Sequence, residues 1–130
     1  MPMTTNGWVV STAAVMLLVG CSSSVGVRVP TVAGGSNYQS DLEACERVTP
    51  PGMNERGERF AGCMVAAGHG AWLQVASGEE VMVRQTMTHD RQAAVNDLVQ
   101  CYKTTKTERT LADCLAPRGY AIQRYEPPKR

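Results

Sequence analysis

The sequence predicts a small, mainly α-helical domain, stapled by disulfides and built from two duplicated helical hairpins, with short strands between and after them. Three observations carry that prediction. "DLEAC" at 41–45 returns as "DLVQC" at 97–101, and "RFAGCMVAAGHGA" at 59–71 returns as "TLADCLAPRGYAI" at 110–122. Apolar residues in both copies recur at i, i+3 and i+4, the spacing of one helix face. The 130-residue chain holds one Phe, two Trp and four Tyr, so its core buries little area and cross-links become useful.

The first unit spans about 40–71. Ser40-Asp41-Leu42-Glu43 is a capping-box pattern that opens a helix. Thr49-Pro50-Pro51-Gly52 closes it, because proline lacks a donor and restricts the residue before it. A second helix over about 54–67 places Phe60, Cys63 and Met64 on one face, with Gly68 where a left-handed C-cap is expected. Residues 71–75 (AWLQV) and 80–85 (EVMVRQ) flank ASGE and read as short strands about a turn. The second unit spans about 90–122. Asp90 is its N-cap, and Ala94, Val95, Leu98, Val99 and Tyr102 form one apolar stripe. A break at KTTKT (103–107) precedes a helix carrying Leu111, Cys114 and Leu115, which stops at Gly119. YAIQRY (120–125) alternates and is expected to pair with the earlier strands. Neither unit can bury a face alone, so the two are expected to pack together.

Four of the five cysteines fall in the repeats, and four cysteines allow three pairings. The repetition favours Cys45–Cys63 and Cys101–Cys114, each stapling one hairpin. Crossed pairing between the units is the alternative. In the chain-entropy model, closing such loops stabilises the fold by about 3 kcal/mol each.

The fifth cysteine follows Trp8–Gly20, an apolar run of thirteen uncharged residues. That run is too short to cross about 30 Å of hydrocarbon, but it fits the apolar core of an export signal. It ends in Leu18-Val19-Gly20-Cys21, which resembles the lipobox of bacterial lipoproteins. The preceding MPMTTNG lacks the Lys or Arg that export signals carry. The resemblance implies that residues 1–20 are a removed signal and that Cys21 is the lipid attachment residue, acylated on sulfur and nitrogen. Two or more acyl chains hold a protein on a bilayer durably. In Gram-negative lipoproteins an Asp after the lipidated cysteine retains the protein in the inner membrane; Ser22 here therefore implies the outer membrane. Residues 21–37 read as the lipidated cysteine and a flexible tether rich in Ser, Gly and Val, spanning on the order of 20 Å. An edge strand at 25–29 is the alternative for part of it. Residues 38–125 are the expected domain, and EPPKR (126–130) a disordered tail.

Chemistry-bearing motifs are few. The 13 Lys and Arg and 12 Asp and Glu are interspersed, so no basic stripe points to nucleic acid. The cysteines lack CxxC spacing, and His69 and His89 are far apart, so no metal site is expected. His69 occupies the position of Tyr120 in the other copy, which suggests packing. There is no GxSxG, HExxH or Gly-rich phosphate loop. Glu79 and Glu80, adjacent on a strand, point to opposite faces, and capping accounts for Asp90 beside His89. No catalytic residue and no cofactor are expected. The expected role is that of a non-enzymatic envelope lipoprotein, structural or protein-binding, joined to a bilayer through Cys21 and to an outer-membrane or cell-surface assembly through its domain. The alternative is an inhibitor of cell-envelope enzymes, or an enzyme acting on envelope substrates. For an inhibitor, the loop at 48–58 with Met53 and Arg56 is the candidate.

Overall fold

The helices lie where their apolar stripes place them, but a complete sheet joins them. A computed structural model describes residues 29–105 and 107–124. The segment 8–20, Cys21, residues 22–28 of the expected tether and the tail 126–130 lie outside the described residues. The elements run β1 (Thr31–Val32), α1 (Tyr38–Val48), α2 (Arg56–Ala66), β2 (Gly70–Gln74), β3 (Glu80–Gln85), α3 (Arg91–Thr104), α4 (Glu108–Leu115), a 3-10 turn (Ala116–Arg118) and β4 (Tyr120–Arg124). The strands form one antiparallel sheet in the order β1-β2-β3-β4.

The mainly α expectation holds only in part. The strands are a full layer, not an accessory between hairpins, and each half of the chain runs strand, helix, helix, strand. The missed strand is β1, whose Thr31 and Val32 pair with Ala71 and Gly70. Two residues are too few to display alternation in sequence, and the sheet therefore begins inside the stretch read as tether. Ser40 is corrected as well. The first helix starts at Tyr38 with Asn37 at its N-cap, and the Ser40 hydroxyl donates to the Asn37 carbonyl at 3.1 Å. The earlier start lets the Tyr38 hydroxyl lie 2.6 Å from Thr31 Oγ1 and its ring meet His69 edge-on at 5.2 Å. A local capping pattern cannot register contacts made thirty residues away.

Gly68 does close α2. At φ 97° it sends its N–H to Val65 O, and His69 sends its own to Met64 O, both at 3.0 Å. This is the paired bonding of a Schellman ending. Asp90 caps α3, its Oδ2 accepting from the N–H groups of Gln92 and Ala93 at 3.1 and 3.4 Å.

Alternation sorts the sheet into two faces. Ala71, Leu73, Val81, Val83 and Tyr120 join Ala61, Val65, Ala94, Leu98, Leu111 and Leu115 in the main core. The helices therefore cover one face. The other carries Trp72, Met82, Arg84 and Gln123. A smaller cluster of Leu42, Cys45, Phe60, Cys63 and Met64 joins α1 to α2. The disulfides are Cys45–Cys63 and Cys101–Cys114, each within one half and with Cα atoms 5.7 Å apart. No helix among the described residues is long and apolar enough to cross a membrane.

A close seam joins α2 to α3. A Cβ at Gly62 would lie 2.6 Å from Val95 Cα and 3.0 Å from Ala94 O. Both are backbone atoms of a helix, so neither yields as a side chain would. Gly62→Ala should therefore destabilise the fold by about 1–3 kcal/mol, the usual cost of overpacking, despite alanine's better helix propensity. Denaturant midpoints check this, and unchanged or increased stability would contradict the seam.

Candidate functional site

Each half has a partly buried polar junction of the same kind. Asp41 and Asp97 open the repeated D-L-x-x-C stretches, each early in the first helix of its half or close to its middle, and each carboxylate receives a hydrogen bond from an aromatic residue at the start of a strand. In the first half the residue is His69, just ahead of β2 and 1% exposed. Its Nε2 lies 2.8 Å from Asp41 Oδ2, and its Nδ1 lies 2.8 Å from the Gly34 nitrogen. A backbone N–H can only donate, so Nδ1 accepts and Nε2 carries the proton shared with Asp41. The ring thus ties α1, the entry to β2 and the segment after β1 together. With both nitrogens engaged, it has none open to a ligand.

In the second half the Tyr120 hydroxyl donates to Asp97 Oδ2 at 2.7 Å. Burial, and then the bond to the Asp97 carboxylate, push the phenol well above its ordinary pKa. His89 stacks on the Tyr120 ring at 4.2 Å, nearly parallel, and gives its Nε2 proton to Arg118 O at 2.7 Å. His89 Nδ1 lies 3.1 Å from the Gln85 side-chain amide.

A groove of about 430 Å³ runs between the α1–α2 bridge and the start of α3, with Asp41, Cys45, Cys63, His89, Asp90 and Arg91 along it. Three of its titratable groups already hold the fold: Asp41 receives His69, Asp90 caps α3, and His89 braces Tyr120. No group of three or more His, Cys, Asp or Glu among the described residues is placed to hold a metal ion.

The loop between α1 and α2 is the other distinctive feature. Met53 is 38% exposed on it, and Val48, the last residue of α1, is 43% exposed beside it, while its base is fixed. Thr49 is buried and donates through Oγ1 to Cys45 O at 2.7 Å, and Arg56 Nε donates to Thr49 O at 2.8 Å. Of the two residues singled out in sequence, Met53 is presented to solvent and Arg56 belongs to the base. Glu79 pairs with Arg124 at 3.1 Å in the β2–β3 turn, and Glu80 starts β3 opposite Gln74.

Comparison of the chain with protein-family models, curated proteins and solved structures finds no match. The site is therefore read from geometry alone. Sequence reasoning placed the four domain cysteines and treated His69 as a packing residue, but it missed Asp41 and Asp97 as the partners of His69 and Tyr120. The signal was present, since aspartate opens both copies of D-L-x-x-C. Cys21 lies outside the described residues.

The Tyr120–Asp97 bond has a pH signature. An unfolded tyrosine ionises near pH 10, whereas Tyr120 in the fold keeps its proton. The unfolded chain therefore binds fewer protons there, and stability falls as pH rises past that value. Tyr120→Phe should cost about 1 kcal/mol at neutral pH and make the alkaline loss shallower. Urea midpoints of both proteins between about pH 8 and pH 11 check this; parallel slopes would contradict it.

Proposed function

We propose that the chain is a bacterial envelope lipoprotein whose rigid domain, held at the outer membrane through acylated Cys21, binds a protein partner and is not itself an enzyme. The observation that carries this reading is Leu18-Val19-Gly20-Cys21 at the end of an apolar, uncharged run. The two disulfides support it, because such bridges persist in exported proteins. Setting Cys21 aside as the anchor also leaves an even set of four cysteines, all bridged.

Within this reading the two halves descend from one duplicated strand–helix–helix–strand unit. Three features support that origin. The element order repeats, each half carries a bridge between its two helices, and each has an aspartate bonded to the aromatic that begins a strand. The halves differ most in the spacer between bridged cysteines, 18 positions in the first and 13 in the second. The longer spacer holds Val48 at the end of α1 and the anchored loop with Met53, and that stretch is the contact surface of this reading. A second reading, inhibition of an envelope enzyme, is favoured by the same loop, since a fixed base beneath exposed apolar residues limits the ordering cost of inserting into a cleft.

Cys21→Ala should move the chain from the membrane fraction to the soluble envelope fraction with both bridges still formed, as read by fractionation and non-reducing peptide mapping. Retention in the membrane would overturn the anchor. Val48→Ser combined with Met53→Ser should abolish crosslinking to the envelope partner while leaving thermal unfolding within about 0.5 kcal/mol of the parent, as for other exposed positions. Undiminished crosslinking would remove the loop from the interface. If the double variant instead loses inhibition of an envelope hydrolase that the parent inhibits, the second reading replaces the first.

A further inference from the structure

The two bridges are chemically unequal. All four cysteines lie within three residues of the C-terminal end of their helices, where the helix dipole disfavours a thiolate in every case. Their surroundings then diverge. Cys45 and Cys63 line the groove, yet each is only 2% exposed, and they pack with Leu42, Phe60 and Met64. Apolar burial raises a thiol's pKa and shuts out a nucleophile. In the second pair Cys101 is fully buried, but Cys114 is only half-buried at the end of α4. Arg118 lies on this bridge: its Nη1 is 3.2 Å from Cys114 Sγ and 3.7 Å from Cys101 Sγ. The guanidinium is held there by hydrogen bonding to the Cys114 carbonyl and by Asp97, whose Oδ1 lies 3.7 Å from Nε.

We propose that Cys101–Cys114 is a thiol–disulfide exchange site, opened by an external dithiol that attacks Cys114 Sγ while Arg118 stabilises the departing sulfur anion. The exposed member of the pair dictates the direction. A thiolate approaches along the S–S axis from the side opposite the leaving sulfur, and Cys114 is the outer sulfur. The incoming sulfur, having lost its proton, bonds to Cys114 Sγ, and Cys101 Sγ leaves with the electron pair of the broken bond and takes up one proton in its place. The second thiol of the reductant, deprotonated, then attacks its own sulfur in the mixed disulfide. Cys114 Sγ is released as a thiolate beside Arg118 and then takes up the proton that the second thiol gave up. The reductant ends as a disulfide, and Cys101 and Cys114 end as two thiols. A leaving thiol of lower pKa departs faster, and a neighbouring cation lowers that pKa. Arg118 also draws the anionic nucleophile toward the bridge. It acts here as a positioning and charge-stabilising residue, and the inference does not depend on the lipid anchor.

The test uses the full oxidised chain under native conditions with dithiothreitol as the probe, acid quenching, alkylation and peptide mapping of each cysteine. Cys101 and Cys114 should be labelled at least about tenfold faster than Cys45 and Cys63, the scale set by differences in thiol access and leaving-group acidity. Arg118→Gln should slow the second bridge about threefold or more while Arg118→Lys stays close to the parent rate, because lysine keeps the charge. With glutathione, a single thiol, the first adduct should map to Cys114. Equal opening of the two bridges, or a first adduct on Cys101, would overturn the proposal. So would an Arg118→Gln rate equal to or above the parent's. That last result is what a merely structural role predicts, since loosening the end of α4 would expose the bridge and hasten its opening. The comparison of the two bridges in the parent chain stands even where a variant does not fold.

Discussion

The fold depends on one kind of junction: an aspartate on the first helix of each half, hydrogen-bonded to the aromatic residue that leads into a strand. Helix pairs and sheets pack through non-directional apolar contact, which fixes burial but leaves sliding and rotation cheap. A directional bond removes that freedom, because breaking it leaves the buried His69 or Tyr120 side of the pair without its partner. Asp41–His69 and Asp97–Tyr120 each set the angle between a helix and a strand entrance. Gly68 and Gly119, both at φ 97°, turn the chain immediately before those aromatics, so the left-handed turn and the bond position each other.

The disulfides act about one turn further along the same helices. Each joins the later part of the first helix of a half to the second helix, while the aspartate holds the helix to the sheet. A helix held at two points by different forces cannot rotate about its axis. This matters in a chain with one Phe and two Trp, whose core cannot rely on large interlocking rings. The close approach at Gly62 serves the same end, replacing side-chain volume with direct contact between α2 and the backbone of α3.

Much of this was legible in sequence because the helices announce themselves locally. Phe60, Cys63 and Met64, or Leu111, Cys114 and Leu115, declare a face through their spacing alone, and Asp90 declares a cap. The strands Gly70–Gln74 and Glu80–Gln85 were visible through the Ser77-Gly78 turn between them, with Gly78 at φ 92°. What stayed hidden was fixed by contacts distant in the chain. Thr31–Val32 becomes a strand only because Ala71 and Gly70 lie alongside. The first helix begins at Tyr38 because His69 and Thr31 meet its side chain. Arg118 reads in sequence as an ordinary basic residue after a proline, and only the return of the chain over Cys101 gives it a sulfur to face.

Where the halves agree, their residues are accounted for by folding; where they differ, the difference calls for another explanation. His69 against Tyr120 is a difference that preserves the junction, so it carries no further role. The Val48–Met53 loop preserves nothing: the second half closes its bridge with five fewer positions. Val48 and Met53 are exposed there, above a base pinned by a buried threonine and an arginine. The second half departs in its own way, with a half-buried sulfur under a guanidinium where the first half has a sealed bridge. On the two proposals above, the first half offers a contact surface and the second a reactive bond, each on a feature that its counterpart lacks.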